Sequence, residues 1–273
     1  MGKQMVSKGR SRFVVLGLTA IALASVSAFA SAKTPADVLS FAHWELQTFT
    51  NSSASTMTTV DSATLQSGYH DTFFKYVSDG GDAVAFYAPD LGDHTANSPH
   101  PRSELRELNS SGGHALWNGF DSKTHTLSAT LKVTDARHRL CIGQIHADAL
   151  LSGSGAASIK PLMELYYEPT GDLVVGFESG PETTASQPAA GKSFGAKVPV
   201  GKQFSYVITV KNHIVTAAVT YNGSTHTVSE TIPASFKPYG NYFKAGDYNQ
   251  VDADQKGSGG TKDQFYKLTV SHQ

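Results

Sequence analysis

Short runs in which every second residue is apolar dominate this chain, and they set the expectation for its fold. Val84, Phe86 and Ala88 alternate with their neighbours after a turn signal at Asp79-Gly80-Gly81-Asp82. Residues 124–134, 140–146, 161–168, 173–178, 204–211, 214–221, 225–230 and 265–270 read as strands by the same period of two. Pro169-Thr170-Gly171-Asp172, Asn212-His213 and Asn222-Gly223 separate neighbouring runs and predict tight hairpins. Residues 45–67 are rich in Thr and Ser and read as strands and turns. Residues 151–158 and 180–194 read as mobile Gly/Ser/Ala-rich loops. One helix start stands out: Thr34 can cap, Pro35 fits the first helical position and Asp37 suits the first turn, predicting a short helix to Phe41 with Trp44 packed beneath it. Many short strands, frequent turns and one short helix predict an all-β sandwich of two antiparallel sheets.

Composition narrows the picture. The chain has 273 residues, 40% hydrophobic and 16% charged, enough for one core of sandwich size. Residues 1–32 are not read as fold. Lys3, Lys8, Arg10 and Arg12 precede an apolar run, followed by Ala28-Phe29-Ala30 and Ala30-Ser31-Ala32. This is the pattern of a secretory signal peptide, with residues 33–273 as a single domain that is secreted or periplasmic and free of the membrane once the signal is removed. Removing the signal's four basic residues from the total of 22 leaves 18 against 23 acidic ones, a formal charge of −5. A net acidic chain argues against nucleic acid, yet can bind a polyanion where its cations gather in one groove. Cys141 is the single cysteine, so no intrachain disulfide forms.

The stretch from Tyr242 to Gln250 is too polar for a core strand and too aromatic for a plain loop. Extended, it places Tyr242, Lys244, Tyr248 and Gln250 on one face with a gap at Gly246, and Phe243 and Ala245 on the other. Arg102, Glu104 and Arg106 share a face by the same rule, Glu104 bracing two guanidiniums that can also hold a planar carboxylate. Gln144 and His146 form a third polar face, with Ile145 and Cys141 turned away. Solvated edge strands, an ion-pair ladder and hydrogen-bonded core side chains are the plain alternatives for these stretches.

These residues suit some chemistries and not others. A glycosidase needs two carboxyls about 5–9.5 Å apart. Glu164 and Glu168 share a face but lie about 13 Å apart along a strand. The 11 histidines are scattered, without metal-ligand spacing, and no Gly-x-Ser-x-Gly occurs. Arg, Gln and His donors with phenols instead suit β-elimination on a uronic acid chain. The proton on C5 leaves, negative charge builds on the adjacent carboxylate and is drained by fixed donors, and the oxygen on C4 departs.

Arg102-Ser103-Glu104-Leu105-Arg106, Gln144-Ile145-His146 and the run from Tyr242 to Gln250 resemble, in order and spacing, the signature segments of alginate lyases of polysaccharide lyase family seven. The resemblance extends over residues 33–273. It implies a β-jelly-roll with a concave groove, and β-elimination on alginate without a cofactor or required metal. It implies that Arg102 or Arg106, with Gln144, neutralises the substrate carboxylate. His146 joins them or acts as base. Tyr248 is the acid, and also the base toward mannuronate. Glu104, Tyr242, Lys244 and Gln250 join the substrate contacts. An isoleucine within Gln-x-His accompanies acceptance of guluronate blocks in that family, and Ile145 fits. Residues 147–158 are placed as a lid, and a monomer is expected. The alternatives are a lyase for a related polyuronate such as glucuronan, and a non-catalytic carbohydrate-binding sandwich.

Overall fold

Alternation of apolar and polar residues becomes two stacked antiparallel sheets in the computed structural model, which describes residues 1–2, 4–5, 32–50, 53–95, 98–151, 159–181 and 191–273. Of the segment read as a signal peptide, only Met1, Gly2, Gln4, Met5 and Ala32 fall among these. Lys33–Gln273 forms one compact unit. Its strands are β1 (Trp44–Phe49), β2 (Met57–Val60), β3 (Phe74–Ser78), β4 (Asp82–Pro89), β5 (Arg102–Glu107), β6 (His125–Asp135), β7 (Leu140–Leu150) and β8 (Pro161–Tyr167). Then come β9 (Asp172–Phe177), β10 (Lys192–Lys197), β11 (Gln203–Lys211), β12 (Ile214–Tyr221), β13 (Ser224–Thr231), β14 (Tyr239–Asn249) and β15 (Gly260–His272). One sheet runs β10-β9-β8-β7-β14-β5-β1-β2, and the other β13-β12-β11-β6-β15-β4-β3. This is the sandwich the sequence predicts.

The core is what the period of two left between the sheets. Leu105, Ile145, Phe243 and Ala245 from the first sheet meet Val84, Phe86, Leu131 and Phe265 from the second, all fully buried. Phe86 and Phe265 pack edge to face at 5.3 Å, a favoured ring arrangement. Each such side chain contributes roughly 1.5–3 kcal/mol by leaving water. Burying these positions fixes which residues of β5, β7 and β14 face outward, and so builds the polar floor described below. Two of the three predicted hairpins close on positive φ pairs, 50° and 51° at Asn212-His213, 49° and 77° at Asn222-Gly223.

Several expectations are corrected. The helix at Pro35 is a single 3-10 turn, Pro35–Asp37, in which the Asp37 side chain reaches back to the Thr34 backbone N–H at 2.7 Å. A second helix, α1 (Ser62–Gln66), was not foreseen, because one buried leucine in five residues leaves no period to read. Asp61 caps it, accepting from the Thr64 N–H at 2.7 Å. Residues 147–150, expected in a lid, continue β7, while 152–158 lie outside the described residues. Lys192–Lys197, expected partly as loop, is strand β10, while 182–190 also lie outside the described residues. Cys141 does not face away from Gln144: it packs with Tyr166 and Tyr248, and Ile142 takes the core position. The register between β7 and β8 slips between Cys141 and Gly143, and a bulge of this kind reverses the parity of faces. Gly143 is required there, because a Cβ would lie 2.7 Å from Tyr206 Oη, which donates to the Ile142 carbonyl at 2.9 Å.

Gly246 interrupts β14 with φ of 134°, and a Cβ there would meet the Ser103 carbonyl oxygen at 2.8 Å. Both facts penalise any side chain. Gly246→Ala is expected to lower the urea midpoint by an amount worth more than about 1 kcal/mol. An unchanged midpoint would show that β14 tolerates an ordinary backbone there.

Candidate active site

Strands β7, β14 and β5 lie side by side, and their register sets the site in rows. Tyr242 of β14 faces His146 of β7. Lys244 lies between Gln144 and Arg106, Gly246 opposite Glu104, and Tyr248 between Cys141 and Arg102. The floor opens to a groove of about 770 Å³, lined by Arg102, Arg106, Gln144, His146, Tyr242, Lys244, Tyr248 and Gln250 among others. The three sequence stretches therefore meet on one face, as alternation predicts.

Glu104 is the exception. Expected among the substrate contacts, it lies fully buried under the floor. Its carboxylate takes Lys244 Nζ at 2.5 Å, Gln144 Nε2 at 2.5 Å and Arg102 Nη1 at 3.4 Å. It braces Arg102, as expected, but not Arg106. Arg106 has a cross-strand carboxylate of its own at Glu45, 3.9 Å away, and reaches Asp148 at 2.5 Å. Buried ions held this way are oriented rather than free, which suits donors that must be aimed before substrate arrives.

Arg102 has spare capacity. Its guanidinium lies 3.9 Å above the Tyr248 ring, and its Nε and Nη2 have no hydrogen-bond partner among the described residues. Arg102 is 5% exposed and both nitrogens are covered, so water replaces such partners poorly, and a planar carboxylate that matches the fork reaches it only as a neighbouring side chain gives way. Arg106 stacks on Tyr242 at 4.1 Å with its Nη2 committed to Asp148.

The proton-carrying groups differ in state. His146 Nδ1 lies 2.5 Å from the Ala147 carbonyl, which can only accept, so Nδ1 carries the proton and Nε2 keeps a lone pair. Burial first, and then the charge of Lys244, push His146 down to about 4, so the ring is neutral near pH 7. The ring stacks on Tyr242 at 5.2 Å. Burial pushes the Tyr248 phenol up while Arg102 opposes, so it stays a protonated donor. Its hydroxyl lies 2.6 Å from Ser98 Oγ. Burial also pulls Lys244 down to about 8, against the pull of Glu104, which leaves it mostly charged near neutrality.

Several groove residues are not among those the sequence singles out for the site, four of them beside the reactive groups. Ser98 and His100 come from the loop before β5, and Glu164 and Tyr166 from β8. Their signal is weak, since a Ser, a His or a Glu-x-Tyr pair is common in any chain. Glu164 and Glu168 do not form a carboxyl pair: Tyr166 donates to Glu164 at 2.6 Å, and Arg139 holds Glu168 at 2.6 Å.

Known proteins share this fold. A family model described as alginate lyase matches residues 39–272. The crystal structure of alginate lyase A1-II', a member of polysaccharide lyase family seven, superposes with a TM-score of 0.70 at 30% identity, over 88% of this chain and 99% of that one. A tyrosine-to-phenylalanine variant of A1-II' in complex with product (GGG) matches at 29% identity and a TM-score of 0.70, over 89% of this chain and all of that one. An alginate lyase of Klebsiella pneumoniae is 27% identical, over 93% of this chain and 96% of its own length. The chain belongs to the alginate lyases of polysaccharide lyase family seven.

Proposed function

We propose that the groove binds a run of alginate, that Arg102 and Gln144 take the carboxylate of the reacting uronate, and that His146 and Tyr248 move the two protons of a β-elimination. The reaction class is that of the family. The roles are assigned from the geometry, and the observation that carries them is the buried fork of Arg102 with two unpartnered N–H groups beside the Tyr248 phenol. Bound there, the substrate carboxylate is held by charge-assisted hydrogen bonds that strengthen as charge moves onto it. Each such donor is worth on the order of 3 kcal/mol in the transition state. Gln144 has one N–H committed to Glu104 and a second to offer.

His146 Nε2 takes the C5 proton, and the C–H electron pair forms the enolate-like state. That pair becomes the C4–C5 double bond as the C4–O bond breaks, and the Tyr248 O–H protonates the departing oxygen. The products are an unsaturated uronate at one new end and a hydroxyl at the other. Between Tyr248 and His146 as the base, the lone pair on Nε2 favours the histidine, because burial disfavours the phenolate. A separate base and acid suits guluronate, whose C5 proton and C4 oxygen leave from opposite faces. A polymeric substrate with the N-terminal pattern supports action outside the cytoplasm, and the expected monomer is part of the same proposal.

The deciding experiment incubates the chain with alginate and follows the ultraviolet absorbance of the new double bond, which is expected to rise. Reducing ends released without absorbance would mean hydrolysis and end this reading. The pH profile tests the base. Since His146 sits at about 4, kcat is expected to hold from pH 7 to 5 and to fall only as pH drops toward 4, where Nε2 gains its proton. An inflection near 6.5 would place the base elsewhere.

A further inference from the structure

The β8 carboxyl of Glu164 takes no part in charge capture or proton transfer at C5, yet it lines the same groove. It lies opposite Gln144 in the β7–β8 register and is 9% exposed. Its Oε2 accepts the Tyr166 O–H at 2.6 Å. Among the described residues it has no ion-pair partner. The titratable and charged groups around it come from every neighbouring element: Cys141 and His146 of β7, Lys244 and Tyr248 of β14, Arg102 and Glu104 of β5, and Glu178 just past β9. Of the nearby cations, Lys244 is held by Glu104, Lys160 lies 3.7 Å from Glu178, and Arg139 is held by Glu168. Burial drives Glu164 up to about 7. The Tyr166 hydrogen bond opposes this, Glu104 and Glu178 add to it, and Arg102 subtracts.

A polyuronate brings one more negative charge with every sugar. An ionised Glu164 would face those charges with no cation paired to it, an arrangement that repels the ligand the groove is built for. The neutral acid keeps the Tyr166 bond on Oε2 and carries its own proton on Oε1, where it can donate. We propose that Glu164 is a specificity-determining residue that admits a polyuronate only as the neutral acid and donates its Oε1 proton to a substrate oxygen, so that loading the groove takes up a proton from solution. This rests on the groove being the polyuronate site.

As pH rises through about 7, the competent fraction shrinks, and apparent affinity weakens by that fraction, about tenfold one pH unit above. The test is calorimetric titration of a guluronate trimer into the Tyr248→Phe chain, in which turnover is expected to be about 10²–10⁴-fold slower, at pH 6 and pH 8 in two buffers of different ionisation enthalpy. Expected at pH 8 are uptake of about one proton and a Kd about tenfold weaker than at pH 6. Adding Glu164→Gln, whose amide still accepts from Tyr166, is expected to abolish the uptake and bring the two Kd values within about threefold. Absence of uptake in the Tyr248→Phe chain overturns the proposal without any second variant. Uptake that survives Glu164→Gln assigns the proton to Lys244 and also overturns it. A trimer that binds at neither pH sinks the polyuronate reading itself, a separate failure.

Discussion

Tyr248→Phe is expected to lower kcat on alginate by about 10²–10⁴-fold, the usual worth of a positioned proton donor, while KM stays within about threefold. The phenol meets Ser98 at 2.6 Å and lies under Arg102. Phenylalanine keeps the ring that the guanidinium stacks on and removes only the O–H. Its structural cost is one hydrogen bond, about 1 kcal/mol, so the melting temperature should move by only a few degrees. Absorbance assays and a thermal melt on the same preparation separate chemistry from folding. Preserved turnover would remove Tyr248 as the acid. A large rise in KM at constant kcat would make it a substrate-binding group and not the acid.

Glu104→Ala is expected to act on stability instead. Glu104 is fully buried and holds Lys244, Gln144 and Arg102 together. Removing it leaves two buried cations without their shared counter-charge. Breaking a buried pair from one side costs about 3–5 kcal/mol, since the partner stays desolvated. For a domain of this size that corresponds to roughly 10 °C in melting temperature. Activity should fall further than the folded fraction alone explains, because Arg102 and Gln144 lose the group that aims them. Glu104→Gln should lose less, keeping an acceptor for Gln144 but not the charge. A Glu104→Ala melt within about 2 °C of the parent would mean that the cluster is held by the surrounding strands.

The sandwich and the face of the site were legible in the sequence for one reason: a strand has a period of two. Once Phe243, Ala245, Leu105 and Ile145 are taken as core, Tyr242, Lys244, Arg102, Gln144 and His146 must face the other way. What failed was whatever depends on a break in that period or on distant parts of the chain. The slip between Cys141 and Gly143 turned Cys141 to the groove side, and no local composition announces a bulge of this kind. Five residues of α1 carry too little pattern to separate from a turn. Glu104 was correctly placed on the polar face, but its depth depends on Lys244 and Gln144 converging from two other strands. Ser98, His100, Glu164 and Tyr166 reach the groove only through the topology. The choice between Arg102 and Arg106 was likewise open in sequence. Asp148, 42 residues further along, pairs with Arg106 Nη2, and this contact is what favours Arg102 in the proposal.

The most direct measurement is a crystal structure of the Tyr248→Phe chain with a guluronate oligomer spanning the groove. The predicted result puts one sugar carboxylate about 2.7–2.9 Å from both Arg102 Nε and Nη2, within reach of the Gln144 amide, with His146 Nε2 facing C5 of that sugar. A carboxylate seated on Arg106 or Lys244, with the Arg102 fork still empty, would contradict the account.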